Sequence, residues 1–183
     1  MSIIKVNTIQ HANGTTALSF AANGQVTLAN TPLQLTGGQI VFPGTQSASS
    51  DANTLDDYEE GAWTPTVGGT STYNVQVGRY VKIGSQVTVW SEMWINVLGT
   101  GSTDTISGLP FTSANITDIR GGGGIMFFSS LAINQIAIYP RIEQNTSTIR
   151  FATMSASASG VTNSPAIFGN STRMMFMVTY IAA

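Results

Sequence analysis

Residues 86–97 alternate with a period of two, which a strand satisfies and a helix does not. Val87, Val89, Met93, Ile95 and Val97 share one parity, and Thr88, Trp90, Glu92, Trp94 and Asn96 share the other. Successive side chains of a strand point to opposite faces, so the run offers one aliphatic face and one polar, aromatic face. Just upstream, Val75, Val77, Val81 and Ile83 also share a parity, interrupted by Arg79, and Gly84-Ser85 is a two-residue turn between the runs. A long antiparallel hairpin is expected. Further strands are expected at 124–128, 135–141, 148–154 and 174–181, with 121–124 and 155–160 as loops. Neither glycine-rich loop has the spacing or the lysine of a phosphate cradle. Short strands divided by turn residues, without a helical period, predict an all-β domain of β-sandwich or jelly-roll type. The closing run 173–183 is apolar on both parities. It reads as a strand buried on both faces or packed against neighbouring subunits, or as adaptable methionines at a binding surface.

Charged residues make up 9% of the 183-residue chain, against about a quarter in ordinary globular proteins. With 42% hydrophobic residues and a formal charge of -2, the chain lacks the signature of disorder and should fold. Seven Lys and Arg residues are too few to neutralise many phosphates, so no nucleic-acid partner is expected. The absence of cysteine removes disulfides, thiolate zinc sites and cysteine nucleophiles together, and no cofactor is expected. No basic start leads into a long apolar run, and no stretch approaches the roughly 20 apolar residues of a span. Synthesis in a cytoplasm without membrane insertion is the expectation.

Residues 1–54 repeat a short pattern. Ala12-Asn13-Gly14-Thr15-Thr16-Ala17-Leu18 realigns with Ala22-Asn23-Gly24-Gln25-Val26-Thr27-Leu28, and Gly37-Gly38-Gln39-Ile40-Val41-Phe42 is a third copy. Each strand offers about two apolar side chains, and an isolated hairpin of that size is marginal in water. Three chains wound about a threefold axis would bury these rows and pair strand edges between subunits. Leu18, Phe20, Val26, Leu28, Ile40 and Phe42 are the expected core of such an intertwined shaft. The competing reading is a low-complexity linker, which 45–50 resembles locally.

Between the halves lies Leu55-Asp56-Asp57-Tyr58-Glu59-Glu60-Gly61-Ala62-Trp63-Thr64-Pro65-Thr66, with four of the nine carboxylates inside five residues. This block resembles a segment that recurs in tail-fibre and related appendage proteins of tailed bacteriophages. The openings Ser2-Ile3-Ile4-Lys5-Val6-Asn7-Thr8-Ile9-Gln10 and Gly99-Thr100-Gly101-Ser102-Thr103-Asp104-Thr105-Ile106-Ser107-Gly108-Leu109-Pro110-Phe111 also resemble phage fibre sequence. The resemblance implies a virion component with a role in host attachment and does not identify a receptor. The expected organisation is an attachment and shaft region at 1–54, an acidic junction at 55–66 and a head at 67–183.

Tyr80, Trp90, Glu92 and Trp94 are the receptor-binding candidates, because aromatic faces beside a carboxylate can stack on a sugar and hydrogen-bond to it. The competing reading places those rings in the core or a subunit interface. Asp56, Asp57, Glu59 and Glu60 lack the Asp-x-Asp-x-Asp-Gly spacing of a calcium loop, and a solvated hinge or a carboxylate cap on a short helical turn fits them better. Adjacent acids at a junction also cannot flank a glycosidic bond. His11 is the only histidine, so a serine or cysteine triad cannot be built in the head, and as a metal ligand or pH switch it has no supporting residue. Trp63 is expected to anchor the first strand of the head.

The resulting expectation is a homotrimeric, non-enzymatic fibre protein on the virion. Its partners would be itself, other tail or capsid proteins through the N-terminus, and host polysaccharide or protein through the head. The loops at 70–74, 99–104 and 155–163 are the expected tips. A purely structural virion piece is the alternative, and a depolymerase would need a longer chain with carboxylates in a groove.

Overall fold

In the computed structural model, the described residues are 7–10, 12, 14, 16–20, 22, 26–28, 37–45, 54–157 and 159–183. They hold strands and no helix. His11 and the sequence-predicted turn residues Asn13 and Asn23 lie outside them, as do the side chains of Leu18 and Phe20. The chain divides into two compact units, Met1–Val41 and Phe42–Ala183.

The first unit contains a three-stranded antiparallel sheet of β1 (Thr8–Gln10), β2 (Thr16–Phe20) and β3 (Val26–Leu28), in that order. Its ladder runs within one chain, pairing Leu18 with Leu28 and Ile9 with Leu18. A ten-residue repeat is long enough for the chain to turn and pair with itself. The side chains are another matter. Ile9, Val26 and Leu28 stay exposed, Val26 at 54%. The third repeat forms no strand; Ile40 is exposed, and Phe42 instead belongs to the second unit, its ring 6.4 Å from that of Tyr58.

The second unit is one open antiparallel sheet of nine strands. These are β4 (Tyr58–Trp63), β5 (Thr72–Ile83), β6 (Gln86–Val97), β7 (Thr105–Ser107), β8 (Gly121–Ser129), β9 (Ala137–Ile142), β10 (Thr148–Met154), β11 (Thr162–Asn163) and β12 (Arg173–Ile181). Their order is β11-β10-β9-β8-β12-β6-β5-β4, with β7 added on β10. The sheet folds across its own core, since the Phe151 ring of β10 meets Phe176 of β12 edge-on at 6.1 Å and Phe168 at 5.5 Å. The fold falls where β8 and β9 share just two pairs, Gly121 with Ile142 and Gly122 with Arg141.

The run 121–124 is therefore strand, not loop. A Cβ on Gly123 would sit 1.9 Å from the Met177 carbonyl oxygen, and one on Gly121 would sit 2.6 Å from Tyr180 Cβ. Residues without side chains are what let β12 lie this close, the positional meaning glycine has inside a strand.

The aliphatic parity of β6 turned inward: Val87, Val89, Met93 and Ile95 are fully buried. The aliphatic parity of β5 turned outward. Its inner face carries Gln76, Gly78, Tyr80 and Lys82. Gly78 makes room for Trp63, which is buried, stacks over that glycine, and donates from Nε1 to the Trp90 carbonyl at 3.1 Å. On β12, Met174, Phe176, Val178 and Tyr180 fill the core, while Met175 and Met177 face out.

Candidate functional site

Strand register builds an apolar outer face. The two-residue turn pairs Ile83 with Gln86, hence Val81 with Thr88, Arg79 with Trp90, Val77 with Glu92 and Val75 with Trp94. Directly opposed residues of an antiparallel pair share a face. The valines of β5 thus lie beside Trp90, Glu92 and Trp94, joined by Met175 and Met177 from β12 and Phe127 from β8. A bulge between Met175 and Phe176 pushes Met126 outward, and it is 63% exposed. Val77, Arg79, Trp90, Glu92, Met126 and Met175 line a depression of about 430 Å³.

Of the four receptor candidates, three meet. Trp90 is 38% exposed, and Glu92 and Trp94 are half-buried beside it. Tyr80 does not join them: it pairs with the buried Val89, and its ring packs inward, 5.3 Å from Phe111 in an edge contact. Burial, reinforced by the Glu59 carboxylate, raises the Tyr80 hydroxyl above the usual tyrosine range. Gly61 is required beneath that ring, because a Cβ there would come within 2.8 Å of it.

The sequence reading missed Arg173. Its Nε and Nη2 donate to Glu92 Oε1 at 2.9 and 2.5 Å, and its guanidinium lies 5.2 Å from the Trp94 ring and 5.6 Å from Phe127. The cation is held between two aromatic faces while it neutralises the Glu92 carboxylate. Glu92 is consequently less free to greet a ligand than its position on the strand implied. The only signal available was that Arg173 shares a parity with Met175 and Met177 in a strand expected to be central.

The acidic block is neither a solvated hinge nor a helical cap. Tyr58–Trp63 is an edge strand, Glu60 faces out and accepts from the Tyr58 hydroxyl, and Asp57 is buried against Lys82. Among the described residues, no group of three or more His, Cys, Asp or Glu side chains could hold a metal ion, and no helix is long and apolar enough to cross a membrane.

The unit has two ends. At one, the chain enters through Asp57, whose carbonyl accepts from Gly84 N at 2.9 Å, and Ala182 N reaches Ser85 O at 2.8 Å. At the other, Thr70 N and Thr100 Oγ1 are 3.1 Å apart, Leu98 N donates to Asn170 Oδ1 and Phe168 N donates to Thr103 O. The connections 68–71, 98–104, 130–136 and 155–161 gather at this second end by the antiparallel order of the strands they join. A recess of about 270 Å³ lies there, lined by Ser129, Ser130, Leu131, Ile133, Asn134 and Gln135.

No protein-family model and no curated protein matches the chain. Among solved structures, the crystal structure of Dettilon tailspike protein is similar in fold, with a TM-score of 0.53 at 11% identity over 69% of this chain and 24% of the tailspike. The likeness thus spans about a quarter of the tailspike's length and is one of fold.

Proposed function

We propose that this chain is an appendage protein of a tailed-phage virion, a homotrimer that attaches the particle to the host surface by non-covalent adhesion. The observation that carries this reading is the gathering of the connections 68–71, 98–104 and 130–136, with the 270 Å³ recess, at the end opposite the acidic junction where the chain enters; the connections 84–85, 108–120 and 143–147 lie at the entry end. Loops on a rigid scaffold are where recognition is usually placed. The tailspike likeness and the resemblance of the 55–66 segment to phage fibre sequence support the same reading.

Trimerisation is supported by the outer face. Tyr58, Val77, Ile83, Trp90, Met126, Phe127 and Met177 are each 37–63% exposed. At roughly 200 Å² per large side chain they leave on the order of 600 Å² of apolar surface on one face. A typical monomer's largest patch reaches about 300–600 Å², while a stable interface buries about 800 Å² per partner. Copies of this chain are the proposed occupants of that face, so Trp90, Glu92 and Trp94 serve association and the loop end serves adhesion. The virion-proximal shaft is 1–54, and the sandwich-like head is 67–183 together with strand β4 of the 55–66 junction. Three weak sites per trimer multiply into firm attachment without covalent chemistry on the host.

Light scattering on the purified chain, followed by binding to intact host cells and to their extracted surface polysaccharide, tests this. A trimer with saturable binding that is lost on substituting Asn134 and Gln135 is expected. A trimer that binds neither preparation would instead be a structural virion piece, and release of reducing sugar ends would make it a depolymerase.

A further inference from the structure

We propose that Lys82 and Asp57 are a covalent cross-linking site, joined by an intramolecular isopeptide bond that staples the entry of the head to its second strand. The chain has two lysines, Lys5 and Lys82, and Lys82 is buried. Lys82 Nζ donates to Asp57 Oδ2, and the side chains are 5% and 1% exposed. The Phe111 ring centroid lies 5.3 Å from Nζ, and that ring is itself packed edge-on by Tyr80. Tyr180 closes the same side, its hydroxyl donating to the Phe111 carbonyl at 2.9 Å. Glu59 is the cross-strand partner of Lys82, on the inward-facing parity of β4, and its carboxylate accepts from the Tyr80 hydroxyl.

As an ion pair this arrangement is poorly compensated. A buried pair needs its remaining lone pairs satisfied to offset the desolvation of both charges. Yet Asp57 Oδ1 is buried with no hydrogen-bond partner among the described residues. Condensation removes both formal charges and one of the two oxygens, so the amide fits a pocket that the ion pair does not.

The balance is simple. A proton passes from the ammonium to the carboxylate, leaving an amine and a carboxylic acid in contact. Nζ attacks Cγ, a C–N bond forms, Glu59 takes a proton from the nitrogen and returns it to the departing hydroxyl, and the C–O bond breaks to release water. Ammonium plus carboxylate has become amide plus water, with Glu59 unchanged and no oxidant, reductant or cofactor consumed. Holding the two groups together converts a bimolecular condensation into a unimolecular one, where effective molarities reach about 10⁵–10⁸ M.

Intact-mass measurement on the denatured full chain decides the matter. The expected mass is lower than that of the sequence by one water. Trypsin is expected not to cut after Lys82, and to release a branched species joining the peptide ending at Arg79 to the one beginning at Tyr80. Asp57→Ala and Lys82→Arg should each restore the full mass, and Asp57→Asn should lose ammonia in place of water. Glu59→Gln, which keeps the size of the side chain, should restore the full mass while circular dichroism still reports the wild-type β signal. Full mass in the wild-type chain overturns the proposal, as does loss of water without the branched peptide, which would place the dehydration elsewhere.

Discussion

Replacing Gly78 by alanine should damage the head far more than replacing Gly124, although both glycines sit in strands and neither has a positive φ. A Cβ on Gly78 would lie 2.4 Å from Trp63 Nε1 and 2.6 Å from Cδ1 and Cε2, so it meets a rigid ring and not the tip of a flexible chain. The indole must retreat by about 1 Å to reach ordinary contact, which forfeits a quarter to a half of its dispersion well on that side. It also stretches the 3.1 Å bond to the Trp90 carbonyl, a contribution of about 0.5–1.5 kcal/mol. Overpacking of this kind costs about 1–3 kcal/mol, so the total is about 2–4 kcal/mol. For a domain of this size that corresponds to a fall in Tm of roughly 6–14 °C. Around Gly124 nothing lies within 4 Å of the added carbon, and the alanine there should be neutral or stabilise by up to about 1 kcal/mol. Calorimetry on both variants, with Trp fluorescence following Trp63, measures the contrast. Equal melting temperatures for the two variants would refute the packing of Trp63 on Gly78.

Burial pushes the Tyr180 hydroxyl up to about 12, partly offset by the hydrogen bond its oxygen accepts from the Phe111 backbone N–H. Between pH 10 and 12 the unfolded chain has lost this proton and the folded chain keeps it, so stability is whole below pH 10 and falls as pH rises toward 12, by up to about 2–3 kcal/mol. Urea titrations across that range should show the decline, and Tyr180→Phe should flatten it. Val77→Asp together with Met177→Glu places charges on the outer face and should dissociate the proposed trimer by sedimentation while leaving the β signal of the monomer intact; a persistent trimer would move the interface elsewhere. Arg173→Ala should free Glu92 and loosen Trp94, lowering stability by no more than about 1 kcal/mol because the pair is partly exposed, whereas Arg173→Lys should recover only part of that, since an ammonium cannot lie flat between two rings.

Much of the head is written in period two. The two-faced alternation of β6, the span of β10 and the anchoring of the first strand of the head by Trp63 all follow from alternation and from where aromatic residues fall. Parity by itself, however, does not say which side is inside. Val75, Val77, Val81 and Ile83 look like a core face, and only the turn forbids it: two residues between the strands tie Ile83 to Gln86, so these valines must share a side with Trp90 and Trp94. The same step puts Tyr80 opposite Val89 and removes it from the aromatic patch. A hairpin apolar on both faces is what the sequence describes, and a single-chain expectation of one wet face hides it. The acidic block misled for a related reason. Composition assigns four carboxylates to solvent, but a strand sends neighbours to opposite sides, so Glu60 meets water while Asp57 and Glu59 turn toward Lys82. The glycine run was illegible because the close approach of β12 that requires it is a tertiary fact.

The position of the Lys82–Asp57 link within the sheet explains what it would do. Strand β4 is an edge strand, hydrogen-bonded to β5 alone, and it is the first strand of the head that the incoming chain forms. Tension carried along the chain from the N-terminal side reaches the head through Asp57, and without a cross-link the six paired residues from Tyr58–Ile83 to Trp63–Gly78 must bear it. Edge ladders are the part of a sheet with the fewest neighbours, and local opening starts where contacts are few. An amide from Asp57 to Lys82 diverts that load into β5, which is flanked on both sides and shares its longest ladder with β6. A cysteine-free chain has no disulfide with which to do the same. Under steady pulling through the N-terminus, the wild-type head should therefore extend with β4 retained, and Lys82→Arg should release β4 first as a separate short step. A separate β4 step in the wild-type chain would mean that the ladder, not a covalent bond, holds the junction.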